Sequence, residues 1–143
     1  MSSAVQPHQL MAAMDKFSPD NLRVFHHPGA PGFVYTEGLR ALVQTAKAHW
    51  LLDLVAERLA PVYARAWQNK QANTAQVTLE VGAPDKLGQS AQLDFRLDED
   101  ATPQVIETIG FLDFPVGTWL VRLWTNELAD GSLVTTAGVN QEY

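Results

Sequence analysis

The 143-residue chain contains no cysteine. That excludes disulfides, thiolate metal centres and a cysteine nucleophile, and it fits a reducing compartment. Long apolar runs are also missing: the richest stretch, Trp50 to Ala60, holds three charges and is too short to span a bilayer. The opening MSSAVQPHQLMAAMDKF lacks a basic start followed by an apolar run, so no secretory signal is expected. These absences lead to the expectation of a cytoplasmic protein without membrane attachment. Clusters of Lys and Arg are absent too. Residues 1–75 carry seven Lys/Arg against five Asp/Glu, and residues 76–143 carry three against eleven, within a net charge of −6. Without a basic footprint to release counterions, direct nucleic-acid binding is not expected. An acidic half suits a protein partner with a basic surface, or solubility alone. No G-x-G-x-x-G after a strand, P-loop or G-x-S-x-G occurs, and no cofactor is expected.

What is present fits one globular domain over 1–143, with 46% hydrophobic and 18% charged residues. Residues 1–20 are expected to form a short helix (Leu10, Met11, Met14 and Phe17 at helical spacing) or a lead-in. NLRVFHH (21–27) is a short extended piece, and HHPGAPG a firm loop. Thr36 is placed to cap a central helix over 36–60, with Glu37 at its positive end and Pro61 as its stop. Gly38 in its first turn implies a close contact. Leu39, Leu42, Val43, Ala46, Trp50 and Leu54 make one stripe of that helix. Ala41, Ala48, Leu51, Leu52, Val55 and Leu59 cover the other side, so the helix is expected to be buried on two faces. Residues 62–75 are open between strand and continued helix. Five strands follow, at 76–81, 91–97, 105–114, 118–124 and 132–139. The expected fold is α+β: an antiparallel sheet of about five strands, meandering, packed on the central helix and the short N-terminal one.

Candidate chemistry is sparse. His49 and Asp53 lie four apart on a helix, with Glu57 continuing the line; a histidine oriented by a carboxylate is a workable base. Nothing nearby supplies a nucleophile, metal or pocket, so the line is read as local helix support in preference to a base. HWLLD is not zinc spacing, so no metal site is expected there. His26 and His27, adjacent on an extended chain, point opposite ways and cannot easily share one ion. Asp94, Asp98, Glu99 and Asp100 lack the order of a calcium loop and suit a solvated turn or an acidic contact surface. Trp119 and Trp124, five apart on one strand, face opposite sides. With Asp113, Phe114 and Arg122 they are the candidate interaction residues, the alternative being a second small core.

YTEGLRALVQTAKAHWLLDLVA, FLDFP and the final Glu142-Tyr143 give the chain a family likeness. It resembles an uncharacterised bacterial domain-of-unknown-function family, number six-eight-seven-six, associated with plasmids, phages and other mobile elements. The likeness runs from about Leu22 to Tyr143. The family pattern has an acidic residue where Asp53 stands and an Asp-Phe-Pro corner at 113–115. It has tyrosine where His49 stands, and Leu-Pro-Ser before the final Glu-Tyr where this chain reads TAGVNQ. The resemblance implies no reaction or ligand. Composition and likeness together lead to the expectation of a non-enzymatic, acidic protein–protein interaction module, in its narrowest form an anti-CRISPR-like inhibitor of a host defence complex. The alternatives are a small hydrolase or metal-dependent enzyme using His49 and Asp53 with the His26-His27 loop, and a self-associating structural subunit.

Overall fold

Thr36 is the residue at which sheet becomes helix, and much of the architecture is organised around it. The computed structural model describes residues 7–18, 23–83, 90–98, 103–109 and 116–142, without the side chains of 104–106. Strand β1 (Val24–His26) turns through the Pro/Gly loop into β2 (Phe33–Thr36), and α2 (Glu37–Thr45) follows at once; α1 (Pro7–Asp15) precedes them. The Thr36 hydroxyl accepts from Leu39 N at 3.1 Å, the bond expected of an N-cap. It also donates to the buried Glu142 carboxylate. That carboxylate takes Gly38 N at 3.0 Å and Val139 N at 3.1 Å as well. The close contact implied by Gly38 is therefore with Glu142, whose carboxylate a Cβ at 38 would overlap.

The expected single helix over 36–60 is two helices. The chain breaks at Ala46–Ala48, where Lys47 takes φ 54°. Ala48 N bonds Val43 O at 2.8 Å and Lys47 N bonds Gln44 O at 3.3 Å, a Schellman ending in which lysine holds the left-handed place usually given to glycine. The second helix, α3 (residues 49–68), does not stop at Pro61. Its first α-helical piece, His49–Leu54, passes into a π turn, Val55–Leu59, and then into Ala60–Gln68. Pro61 has no N–H for the Glu57 carbonyl, and its ring would crowd that carbonyl in a regular α-helix. In the wider turn Ala60 N reaches Val55 O instead, which admits the proline. The two apolar faces read on one helix belong largely to these two: Leu39, Leu42 and Val43 are buried on α2, and Leu51, Leu52, Val55 and Leu59 on α3.

The remaining strands are β3 (Ala75–Val81), β4 (Ala91–Leu97), β5 (Pro103–Ile109), β6 (Gly117–Glu127) and β7 (Leu133–Val139). The sheet is larger than expected and mixed: seven strands ordered β1-β2-β7-β6-β3-β4-β5, with β2 parallel to β7 and all other pairs antiparallel. It is not a meander. β3, β4 and β5 follow as neighbours, and β6 then returns to lie beside β3, the Greek-key order. The expected strand residues 110–114, the loop residues 84–89 and the Asp113-Phe114-Pro115 corner lie outside the described residues.

Alternation sorts the sheet into two faces. Val77, Leu79, Leu93, Phe95, Trp119, Val121, Leu123, Ala137 and Val139 face the helices and form one core with them. Tyr63 of α3 is fully buried there; its hydroxyl meets Asn73 O at 2.8 Å and Thr125 Oγ1 at 2.9 Å. Each such large side chain removed from water stabilises by about 1.5–3 kcal/mol. Among the described residues no helix is long and apolar enough to cross a membrane.

The Glu142 bond network makes a double-mutant cycle informative. Gly38→Ala in the native chain is expected to cost about 2–4 kcal/mol, because it displaces a carboxylate with buried hydrogen bonds. In a Glu142→Ala background the same change should be neutral or stabilise by up to about 1 kcal/mol, the ordinary helical gain of alanine over glycine. Urea unfolding of the four proteins measures this; an equal cost in both backgrounds would refute the arrangement.

Candidate functional site

Two regions bear on function: a corner between the Pro/Gly loop and α3, and the sheet face turned away from the helices. At the corner Asp53 is met by His27, a residue remote in sequence, and not by His49. His27 Nε2 lies 2.9 Å from Asp53 Oδ1, with the His27 side chain 8% exposed and Asp53 58%. His27 Nδ1 receives Gly29 N–H at 3.1 Å. A backbone N–H can only donate, so Nδ1 is the acceptor and Nε2 carries the proton given to Asp53. Both ring nitrogens are thus engaged within the fold, and the ring packs edge-on against Phe33 at 6.2 Å. The pair ties the loop to the first turns of α3.

His49 is exposed at the start of α3, and its side chain makes no hydrogen bond among the described residues. His26 faces the other side of the sheet and is exposed, so the adjacent histidines do diverge. Among the described residues no group of three or more His, Asp or Glu side chains converges as a metal-ligand set.

Beyond Gly29 the corner opens into a cavity of about 350 Å³ between loop residues 29–33, the π turn and following turn of α3, and Thr135 of β7. Among the described residues Glu57 is the one charged residue in its lining. A Cβ at Gly29 would come within 3.1 Å of Glu57 Oε1, so the glycine leaves the carboxylate its place. The sequence signal for this cavity is the row of alanines at 56, 60 and 64, one turn apart, opposite a loop of prolines and glycines.

The second sheet face carries most of the predicted interaction residues that are described. Asp94 is gripped by Arg96, with Nε to Oδ1 at 2.8 Å and Nη2 to Oδ2 at 3.2 Å; this hydrogen bond holds the Arg96 guanidinium above its ordinary value. Asp98 adopts φ 62°, and its Oδ1 accepts from Asn73 N and Thr74 N, each at 3.1 Å. It therefore closes the entry to β3 and is not a free acid. Arg122 Nε donates to Asn140 Oδ1 at 3.1 Å. Trp119 and Trp124 face opposite ways as expected. Trp119, 6% exposed, belongs to the helix-side core, which removes it from the surface set. Trp124 is half-buried on the second face, over Gly138: a Cβ there would meet its ring at 2.7 Å and Thr36 at 3.0 Å. Beside it Thr136 Oγ1 is buried without a hydrogen-bond partner among the described residues. Glu99, Asp100, Asp113 and Phe114 lie outside the described residues.

On its described strands this face balances Glu80 and Asp94 against Arg96 and Arg122. Its middle, Gln76, Thr78, Glu80, Gln92, Asp94 and Arg96, forms a shallow polar depression of about 260 Å³.

The geometry defines a class: an α+β domain with a mixed sheet whose described helices share one face. The chain belongs to DUF6876, a family of unknown function, whose model matches residues 8–137. No curated protein and no solved structure matches it.

The tether reading of the corner is checked by two substitutions. His27→Ala should destabilise by about 1–3 kcal/mol and speed hydrogen exchange at Gly29, since a buried ring and both its bonds are lost. His49→Ala should stay within about 0.5 kcal/mol of the native chain. The reverse order of effects would place the functional weight on His49.

Proposed function

We propose that the protein is a non-catalytic interaction module that engages a protein partner through the second face of its sheet. The observation that carries this reading is the face itself. Among the described residues no helix covers it, and Leu120, Arg122 and Trp124 stand there beside the polar row of β3 and β4. A mixture of aromatic, arginine and neutral polar groups is the composition of interface centres, where aromatic and arginine residues are enriched. The charge of the chain adds a longer-range preference. A net −6 draws a basic partner, although the described part of the face is itself balanced. A narrower form of the proposal makes that partner a nucleic-acid-binding defence complex whose basic channel the protein occupies, in keeping with a role on a mobile genetic element.

The test is crosslinking of purified protein to a panel of nucleic-acid-binding complexes and to extract from the producing cell, with two variants that introduce positive charge. Gln92→Arg with Leu120→Arg alters the second face, and Val62→Arg alters the exposed side of α3, where Val62 is 41% exposed. The expected outcome is a salt-sensitive partner lost with the first variant and kept with the second. Retention by the face variant, or loss only with Val62→Arg, would overturn the proposal.

A further inference from the structure

We infer that the cavity beside the His27–Asp53 corner is a binding site for a small organic cation, an apolar body bearing one primary amine or guanidinium. This assignment does not depend on the sheet-face reading. Its volume of about 350 Å³ suits a small molecule. Phe33, Ala56, Ala60, Pro61 and Ala64 give it apolar walls.

Against those walls stands a single charge. Glu57 is exposed, so its carboxylate stands at the open side of the cavity, where it makes no hydrogen bond or ion pair among the described residues. The next residue, Arg58, is spent elsewhere: Nη1 and Nη2 each lie 3.2 Å from a carboxylate oxygen of Glu107 on edge strand β5. An unneutralised carboxylate at an apolar cavity selects a ligand that is apolar over most of its surface and cationic at one end.

The site is also set before any ligand arrives. On one side the loop is fixed by the His27 bonds to Asp53 and Gly29, and by Ala30 N to His27 O and Phe33 N to Ala30 O, both 3.2 Å. On the other side the wall is the π turn, and such turns often mark functional positions. Pro61 enforces that turn, because it cannot supply the N–H of a regular helix. Loop and helix thus meet the ligand already ordered, which spares it the entropy of organising them.

The experiment titrates ¹⁵N-labelled full-length protein with three matched probes: phenethylamine, 3-phenylpropionate and 2-phenylethanol. The amine should bind most tightly, in the millimolar range or better, shifting the amides of Ala30, Phe33, Ala60 and Ala64. Glu57→Gln should weaken the amine by about tenfold and leave the alcohol unchanged, the worth of one charge-assisted bond. Ala64→Phe, which fills the cavity, should abolish binding of all three. Its spectrum away from the site and its unfolding midpoint report whether it is folded. Equal binding of amine and carboxylate, amine binding insensitive to Glu57→Gln, or shifts confined to the second sheet face would each overturn the inference. So would the absence of any shift with all three probes at millimolar concentration.

Discussion

The Glu142 carboxylate is the point on which the rest of the structure closes. It is 2% exposed, and taking such a charge out of water costs several kcal/mol. Three donors offset that cost: the Thr36 hydroxyl, Gly38 N–H and Val139 N–H. Bonds to a charged group contribute about 1.5–3 kcal/mol each, and the positive end of α2 adds up to about 2 kcal/mol. The donors come from the end of β2, the first turn of α2 and the end of β7. One carboxylate therefore fixes the junction of sheet and helix, the parallel pairing of β2 with β7, and the final turn of the chain. Trp124 and Gly138 make a second close packing around the same threonine. The ring lies where a side chain at 138 would be, with Thr36 as their common neighbour.

Legibility in the sequence followed the range of the forces involved. Strands β3, β4 and β6 alternate with period two over seven residues or more and were readable, whereas β7 is legible only as an uncharged run bounded by a turn. The Thr36 cap, which acts over three residues, was readable too. Strands β1 and β2, of three and four residues, are too short to show a period. The partner of β2 lies about a hundred residues away, so no local pattern could announce a parallel pair. The helix break is silent in the sequence because Lys47 holds a left-handed place without the glycine that normally marks it, and Pro61 reads as a stop because a π turn leaves no composition signature. Spacing along a helix offered His49 as the companion of Asp53, whereas folding supplied His27. Glu142 and Thr36-Glu37-Gly38 are both plain in the sequence, yet nothing in a linear string says that they touch.

The two candidate surfaces are separated by the sheet, and that separation has physical content. The cavity at Glu57 lies on the helix side, bounded by elements locked through His27, Asp53 and the core. The second face lies across the strands, where side chains two apart share a surface that no described helix holds down. Thr135 lines the cavity, while its neighbours Val134 and Thr136 point to the other face. β7 is buried on both sides from Val134 onward, so it is the strand that the two surfaces share.

The parallel pair of β2 and β7 also sets an order in time. The chain emerges from the ribosome with β1, β2 and both long helices made early, yet β2 has no neighbour on its inner side until residues 133–139 exist. Until Glu142 follows, the start of α2 lacks its counter-charge, and Gly38 stands beside an empty space. Hairpins β3 to β5 can assemble on their own schedule, but the sheet cannot be joined into one piece before the last strand arrives. A nascent or shortened chain would expose two unpaired strand edges and an uncovered helical core, the form of protein that chaperones and proteases recognise. The bonds that join β2, α2 and β7 thus form only after β7 has been made.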